Sequence, residues 1–323
     1  MRDYKLLHNS GGELNRDSIG WNKRPYKNCT IKRSFKNFFR RKRWNHYLWM
    51  NQEFVFLFAV VDLDYAGFLF LELHDLNSDE SVKKSKVVPL GKGVFIEDEI
   101  NNKVYYRDHN IYINIEEIHG ELSIECNWDD INSNAELNIN HESLNVLIPW
   151  GEKKYHYTCK DMALKGTGMV NDEHKNYDLR NSLCFLDYGR GIWPYEKEWY
   201  WITSGFERNG NIVGINLGAK WTDGTGVNEN GVSINGKVYK IKSDIKFISD
   251  NFGKVWTIES VDGQEVNLTF TPFRHEVQGE NFGIIKSSLK QYIGYLEGSI
   301  KVEGREIEFR GDIAWFEDHF ARW

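Results

Sequence analysis

Residues 182–206 read SLCFLDYGRGIWPYEKEWYWITSGF, and this stretch sets the expectation for the whole chain. An apolar run, Leu183–Leu186, leads into a glycine-marked turn at Gly189 and Gly191; a second run, heavy in tryptophan, follows. Alternation along the first run puts Leu183, Phe185 and Asp187 on one face and Cys184, Leu186 and Tyr188 on the other. On the second run Glu196, Glu198 and Tyr200 share a face, opposite Lys197, Trp199, Trp201 and Thr203. Asp187, Tyr188, Arg190, Glu196 and Glu198 therefore lie within fourteen positions of Trp193, Trp199 and Trp201. Charges among large aromatics are costly to bury unless paired, so the stretch is either the wall of a charged pocket or an exposed rim.

Outward from here the strand pattern repeats. Asn209-Gly210, Asn235-Gly236, Asp262-Gly263 and Glu303-Gly304 each separate two short β-type runs, and X-Gly turns at such intervals indicate an up-and-down meander. Upstream, Ile111, Ile113 and Ile115 alternate with other residues, as do Leu122, Ile124 and Cys126, and Asn101-Asn102 reads as a turn. Glu53–Val61 and Tyr65–His74 are apolar at nearly every position, which predicts strands covered on both faces. Leu144, Val146, Ile148 and Trp150 share a face until Pro149 and Gly151 break the ladder. Beyond the break His156, Thr158 and Lys160 share one face, and Tyr155, Tyr157 and Cys159 the other. No long stretch carries helical periodicity. Such a meander must close on itself or pack on a second sheet to protect its edges. The expected architecture is all-β, two antiparallel β-barrels in tandem. The polar, glycine-containing segment 165–181 divides them into 1–165, which includes an irregular N-terminal arm, and 166–323.

Composition agrees. The chain has 28 Gly, only 5 Pro and 15% aromatic residues, 12 of them Trp, which favours antiparallel sheets joined by tight turns. A net charge of -6 argues against a nucleic-acid binder that works by general electrostatics. The local exception is Arg40–Arg43 (RRKR), preceded by Lys32, Arg33 and Lys36; such a run reads as a solvated loop ahead of a phosphate or membrane-surface contact. Cys29, Cys126, Cys159 and Cys184 form no CxxC pair, as expected of reduced thiols in a cytoplasmic protein. The N-terminus lacks the apolar core of a signal peptide. The apolar run Phe54–Leu73 is interrupted by Asp62 and Asp64, so it reads as a hairpin and not as a transmembrane segment. GxSxG, a P-loop and a strand-to-helix GxGxxG are missing; no cofactor and no metal are expected.

Several runs carry a family resemblance. LNVLIPWGEKKYHYTCKDMALKGTG (144–168), LDYGRGIWPYEKEWYWITSG (186–205) with GINLG (214–218) after it, and the terminal WFEDHFARW (315–323) are similar, in the same order, to the group known as domain of unknown function 2804. More distantly the pattern resembles two-domain lipocalin-like proteins, among them carotenoid 1,2-hydratase and AttH-type proteins. That resemblance implies two lipocalin-like barrels and a hydrophobic small-molecule partner such as a lipid, isoprenoid or polyketide-like compound. It carries no catalytic residue over.

The candidate site residues are read from the strands themselves. Asp187, following two apolar residues onto a buried face, is either a general acid with raised pKa or a partner of Arg190 or cap of the Gly189–Gly191 turn. Glu196 is a candidate acid with Glu198, two positions on, as its partner carboxylate, or both lie on a solvent face. At the C-terminus Trp315, Glu317 and His319 share a face; Glu317 can raise the His319 pKa and poise a base, or it pairs with Arg322 or Arg190. Asp187, Glu196, Glu317 and His319 are thus the catalytic candidates. Tyr188, Arg190, Trp193, Trp199, Trp201, His156 and Lys160 are the ligand-binding ones, with Lys160 as an anion anchor. Three functions follow: binding of a hydrophobic small molecule, cofactor-independent hydratase, lyase or isomerase chemistry on an apolar substrate, and carbohydrate binding or processing.

Overall fold

The structure, a computed structural model, describes residues 4–100, 103–249, 254–281 and 286–322. The first set of strands is β1 (Gly20–Asn22), β2 (Arg41–Met50), β3 (Phe54–Asp62), β4 (Ala66–Asp75), β5 (Ser81–Pro89), β6 (Phe95–Ile96), β7 (Val104–Arg107), β8 (Ile111–Ile118), β9 (Glu121–Trp128), β10 (Ile131–Asn138), β11 (Leu144–Pro149), β12 (Tyr155–Leu164), β13 (Gly166–Asn171), β14 (Asn176–Asp178) and β15 (Leu183–Ile192). The second set is β16 (Glu196–Arg208), β17 (Asn211–Ala219), β18 (Gly231–Ile234), β19 (Lys237–Lys240), β20 (Ile245–Ser249), β21 (Trp256–Ser260), β22 (Val266–Asn281), β23 (Lys286–Val302) and β24 (Arg305–Arg322). Two sheets form the N-terminal body, in the orders β1-β11-β12-β15-β2-β3-β4-β5 and β14-β13-β10-β9-β8-β7-β6; one sheet, β19-β18-β17-β16-β24-β23-β22-β21-β20, forms the C-terminal body. The chain is all-β, as two lipocalin-like bodies in tandem.

Hydrophobic burial sorts into three layers. Tyr47, Trp49, Phe56, Phe58, Leu71 and Tyr188 belong to the core enclosed by the two N-terminal sheets. Ile202, Leu217, Phe270, Leu296 and Phe316 belong to the core of the C-terminal sheet. The third layer, with Leu48, Leu57, Val146, Phe185, Trp201, Ile293 and Trp315, joins the two bodies. This third layer explains why β2, β3 and β12 are buried at almost every position, polar residues included. Odd and even residues of one strand face two different cores, so both faces leave water. By contrast β8, β9 and β10 have one solvent face and keep a clean alternation.

The four X-Gly hairpins form as expected. Asn209, Asn235 and Glu303 have φ of 51°, 49° and 46°, and the glycines that follow are also in the left-handed region, the backbone that lets a two-residue loop match strand twist. The turn expected at Asn101-Asn102 lies outside the described residues.

Three expectations are corrected. Gly189 and Gly191 do not make a turn; β15 runs through both to Ile192, and the chain bends afterwards, at 193–195. The glycines are needed for packing, because a Cβ at Gly189 would lie 2.3 Å from the Trp44 ring carbons. Gly189→Ala should therefore destabilise the protein by about 1–3 kcal/mol, the usual effect of overfilling a packed core, and should alter the near-ultraviolet circular dichroism of Trp44. An unchanged urea midpoint and spectrum would show that the indole moves aside freely.

The division expected at 165/166 falls inside the N-terminal body. β13 pairs with β10, and β15 lies between β12 and β2, so the change from one body to the other comes at 193–195. The polar composition of 165–181 reflects an edge hairpin, not a linker. The basic run is not a solvated loop either. Arg41 and Arg43 are buried in β2, where Arg41 pairs with Asp64 and Arg43 with Asp62 and Asp98, because a buried guanidinium has to be neutralised.

Candidate functional site

A charged cluster lies in the layer between the two bodies. The β12, β15 and β2 strands deliver it in register: Lys160 is opposite Asp187, and Asp187 is opposite His46. The Lys160 Nζ is 2.8 Å from Asp187 Oδ2 and 3.3 Å from Glu229 Oε2. Lys160 and Glu229 are almost fully buried, whereas Asp187 keeps 13% of its side-chain surface exposed. Thr158 donates a hydrogen bond to Asp187 Oδ1 at 3.2 Å. The C-terminal body supplies the opposite wall. The Trp201 ring lies 4.9 Å from the Lys160 ammonium, a cation–π contact strengthened by exclusion of water. Trp201 pairs across the sheet with Glu317, which accepts a hydrogen bond from Trp315 Nε1 at 3.1 Å.

Glu229 comes from the segment between β17 and β18. Its carboxylate accepts a hydrogen bond from the Trp221 indole. Gly218 makes room for it, since a Cβ there would lie 2.3 Å from Glu229 Oε1. Beside the charges runs a chain of rings. His156 stacks between Trp44 and Trp150, at centroid distances of 4.8 and 5.9 Å. Trp193 meets His156 edge-on, Trp199 stacks on Trp221 at 5.5 Å, and His319 lies 4.1 Å from Trp199.

The electrostatics follow from this burial. Desolvation pushes the Glu229 carboxyl up to about 7, although Lys160 opposes the shift and Asp187 adds to it. Glu317 is also pushed up to about 7, again mainly by desolvation, with the Asp187 charge contributing and the Trp315 and Gln291 hydrogen bonds opposing. Desolvation works against the Lys160 ammonium, but Asp187 and Glu229 outweigh it and hold its pKa above the ordinary lysine value. Desolvation brings His46 down to about 4 and His319 to about 3; both imidazoles are neutral at pH 7. The ring nitrogens of His46 and of His156 are buried with no protein partner. The result is one fixed ion pair, two carboxyls that titrate near neutrality and neutral imidazoles, within tryptophan walls. Groups whose pKa values are driven apart in this way are what proton transfer at pH 7 requires.

The structure brings together Asp187, Lys160, Trp201 and Glu317, with His156, Trp193, Trp199 and His319 along the adjoining rings. Others part company. Glu196 is at the exposed end of β16, 2.6 Å from Arg322, and Glu198 pairs with Lys220 at 3.1 Å; each is about half exposed, so they do not form a glycosidase-type pair. Tyr188 and Arg190 point to the other face of β15, into the N-terminal core. Arg190 donates to the carbonyls of Trp44, Gly189, Glu97 and Asp98, so it neither pairs with Asp187 nor reaches the cluster. Glu317 pairs with neither arginine, and burial lowers the His319 pKa where a neighbouring carboxylate was expected to raise it. His319 instead shares a hydrogen bond of 2.8 Å with the Ser287 hydroxyl.

Glu229, Trp221, His46, Trp44 and Trp150 were missed. His46 stands where the basic, polar half of β2 gives way to its apolar half, so it does not stand out from its polar neighbours; Glu229 lies in an irregular segment whose sequence has no distinguishing spacing. Among the described residues no three His, Cys, Asp or Glu side chains come together as a metal-ligand set. No helix among them is long and apolar enough to cross a membrane.

Residues 2–323 match the family described as "Domain of unknown function (DUF2804)". The chain belongs to the DUF2804 family. No curated protein matches it. Solved structures extend the fold relationship of this DUF2804 protein. Kievitone hydratase from Nectria haematococca is similar with a TM-score of 0.57 at 10% identity, covering 98% of both chains. CghA in complex with Sch210972 gives 0.52 at 8% identity, over 95% of this chain and 97% of its own. An AttH-like protein from Nitrosomonas europaea gives 0.50 at 13% identity, over 90% and 98%. At these identities the likeness is one of fold.

Proposed function

We propose that this DUF2804 protein binds an apolar small molecule in the seam between its two bodies and acts on it by cofactor-independent acid–base chemistry, as a hydratase, lyase or isomerase. The observation that carries the reading is the buried cluster itself: Glu317 and Glu229 titrate near pH 7 beside the charged Lys160–Asp187 pair. In a hydration, protonated Glu317 gives its proton to a carbon of the substrate while ionised Asp187 takes one from the attacking water; elimination is the reverse. The orphan His46 nitrogens offer a donor and an acceptor to a polar atom of the ligand. Trp199, Trp201 and Trp221 supply an apolar wall for its body. The hydratase among the structures of similar fold accords with this chemistry. The N-terminal core, by contrast, is filled by its own aromatic rings, which favours the seam over a barrel interior. Four separate buried thiols suit the reducing cytoplasm.

The test begins with organic extraction of the purified protein and mass spectrometry of what is released. The retained compound, returned to the protein in isotopically labelled water, should gain label. Asp187→Asn and Glu317→Gln should each lower the rate by about 10²-fold or more. A compound that is bound but never exchanges or changes would leave a binding protein. Failure to retain or take up any apolar compound would refute both binding and chemistry.

A further inference from the structure

A second feature of the surface has no part in the seam chemistry. Between β1 and β2 the segment KRSFKNFFR (32–40) projects from the body with its aromatic residues outward. Phe35 is 97% exposed and Phe39 56% exposed. They rim a hollow of about 450 Å³ whose other walls are Arg33, Ser34 and Phe38. Leu90, 67% exposed, extends the apolar patch; its N–H donates to the carbonyl of Tyr65, the ring against which Phe38 and Phe39 pack.

The loop is held in this posture. The Asn37 side chain accepts from the Ser34 N–H at 2.9 Å and donates to the Lys32 carbonyl at 2.8 Å. Arg33 reaches down to Asp64 at 2.9 Å and Asp62 at 3.2 Å. The Arg40 carbonyl accepts the Trp193 N–H at 2.8 Å. A phenylalanine held clear of the protein on such a frame exposes apolar surface that a flexible loop would fold away. Around it Lys32, Arg33 and Lys36 are exposed, and no acidic residue occurs between Lys32 and Arg43 in a chain whose net charge is -6.

We propose that this loop docks the protein on an anionic lipid surface, with Phe35 and Phe39 entering the acyl boundary and Lys32 and Lys36 meeting the headgroups. Apolar tips ringed by cations match the two layers of such a surface, hydrocarbon below and negative charge above. Nucleic acid is a poorer match, because Arg33, Arg41 and Arg43 are committed to Asp62, Asp64 and Asp98 and Lys42 is fully buried, which leaves few cations to follow a phosphate backbone. The loop adjoins Trp193, so docking would bring the tryptophan end of the seam close to the lipid phase in which an apolar molecule concentrates. The docking itself does not depend on what the seam does.

The test is co-sedimentation of the full chain with vesicles of phosphatidylcholine alone and of phosphatidylcholine with phosphatidylserine. The expected result is binding to the anionic vesicles, weaker binding to the neutral ones, and a decline as salt is raised. Phe35→Ser, at a side chain that supports no packing, should weaken vesicle binding about tenfold or more with an unchanged thermal unfolding midpoint. Lys32→Glu combined with Lys36→Glu should abolish the preference for phosphatidylserine. Absence of vesicle binding, or binding indifferent to both variants, would overturn the proposal. So would a single-stranded oligonucleotide or a second copy of the chain binding through Phe35 while vesicles do not.

Discussion

Replacing Lys160 with methionine should lower stability by about 3–5 kcal/mol, the effect of removing one member of a buried ion pair. The side chain is of similar length and can fill the space, so the loss is electrostatic. Asp187 and Glu229 would be left facing each other across the seam without the ammonium that lies 2.8 and 3.3 Å from them. Trp201 would lose its cation as well. The penalty should be largest at pH 8, where Glu229 is ionised, and should shrink toward pH 5.5 as that carboxyl takes up a proton. Glu229→Gln alone should cost less than Lys160→Met, since Lys160 would keep Asp187. Added to Lys160→Met, it should recover part of the loss. Urea unfolding of the four proteins at the two pH values checks this. Equal midpoints for the parent and Lys160→Met at pH 8 would mean that water or a mobile counter-ion already screens the cluster.

Glu317→Gln should have the opposite sign. Burial raises the Glu317 carboxyl from its ordinary 4.5 to about 7. Below pH 4.5 the group is protonated in folded and unfolded chains alike. Between pH 4.5 and about 7 the unfolded chain ionises first, so the folded state binds more protons and stability falls as pH rises; above 7 the loss is complete. Its size is about 3 kcal/mol for one such carboxyl. His46 and His319, brought down to about 4 and 3, act in the other direction between those values and 6.5. The parent's own pH profile is therefore a sum of opposing trends. The difference between parent and Glu317→Gln removes the histidine contribution. It should be small at pH 4.5 and grow to about 2–3 kcal/mol in favour of the variant at pH 8. The amide can still accept the Trp315 hydrogen bond, so little packing is lost. A variant that gains stability while losing turnover would mark Glu317 as a residue kept for chemistry. A pH-independent difference would mean that Glu317 titrates like an exposed carboxylate.

Much of this molecule is legible along the strands. The alternation of Leu183, Phe185 and Asp187 against Cys184, Leu186 and Tyr188 separates the two cores that β15 divides. His156, Thr158 and Lys160 project from one face of β12 as their spacing predicts. These readings hold because a strand's side-chain direction is fixed by parity alone. The misreadings have a common cause. Gly189 and Gly191 look like a turn, yet they accommodate Trp44 and the close approach of β12 in mid-strand. Segment 165–181 looks like a linker, yet its pairing partner, β10, lies about thirty residues upstream.

By itself the sequence determined the all-β character, the four X-Gly hairpins, the strands covered on both faces and the side of each strand on which Asp187, Lys160 and Glu317 lie. All of these depend on local periodicity and turn chemistry. The tertiary structure alone decided that Lys160 is neutralised by Asp187 and Glu229, that Glu317 meets them from the other body, and that Glu196, Tyr188 and Arg190 stay apart. Ion pairing and desolvation depend on which side chains converge from distant strands. That convergence is set by the packing of one body against the other, to which no local spacing corresponds.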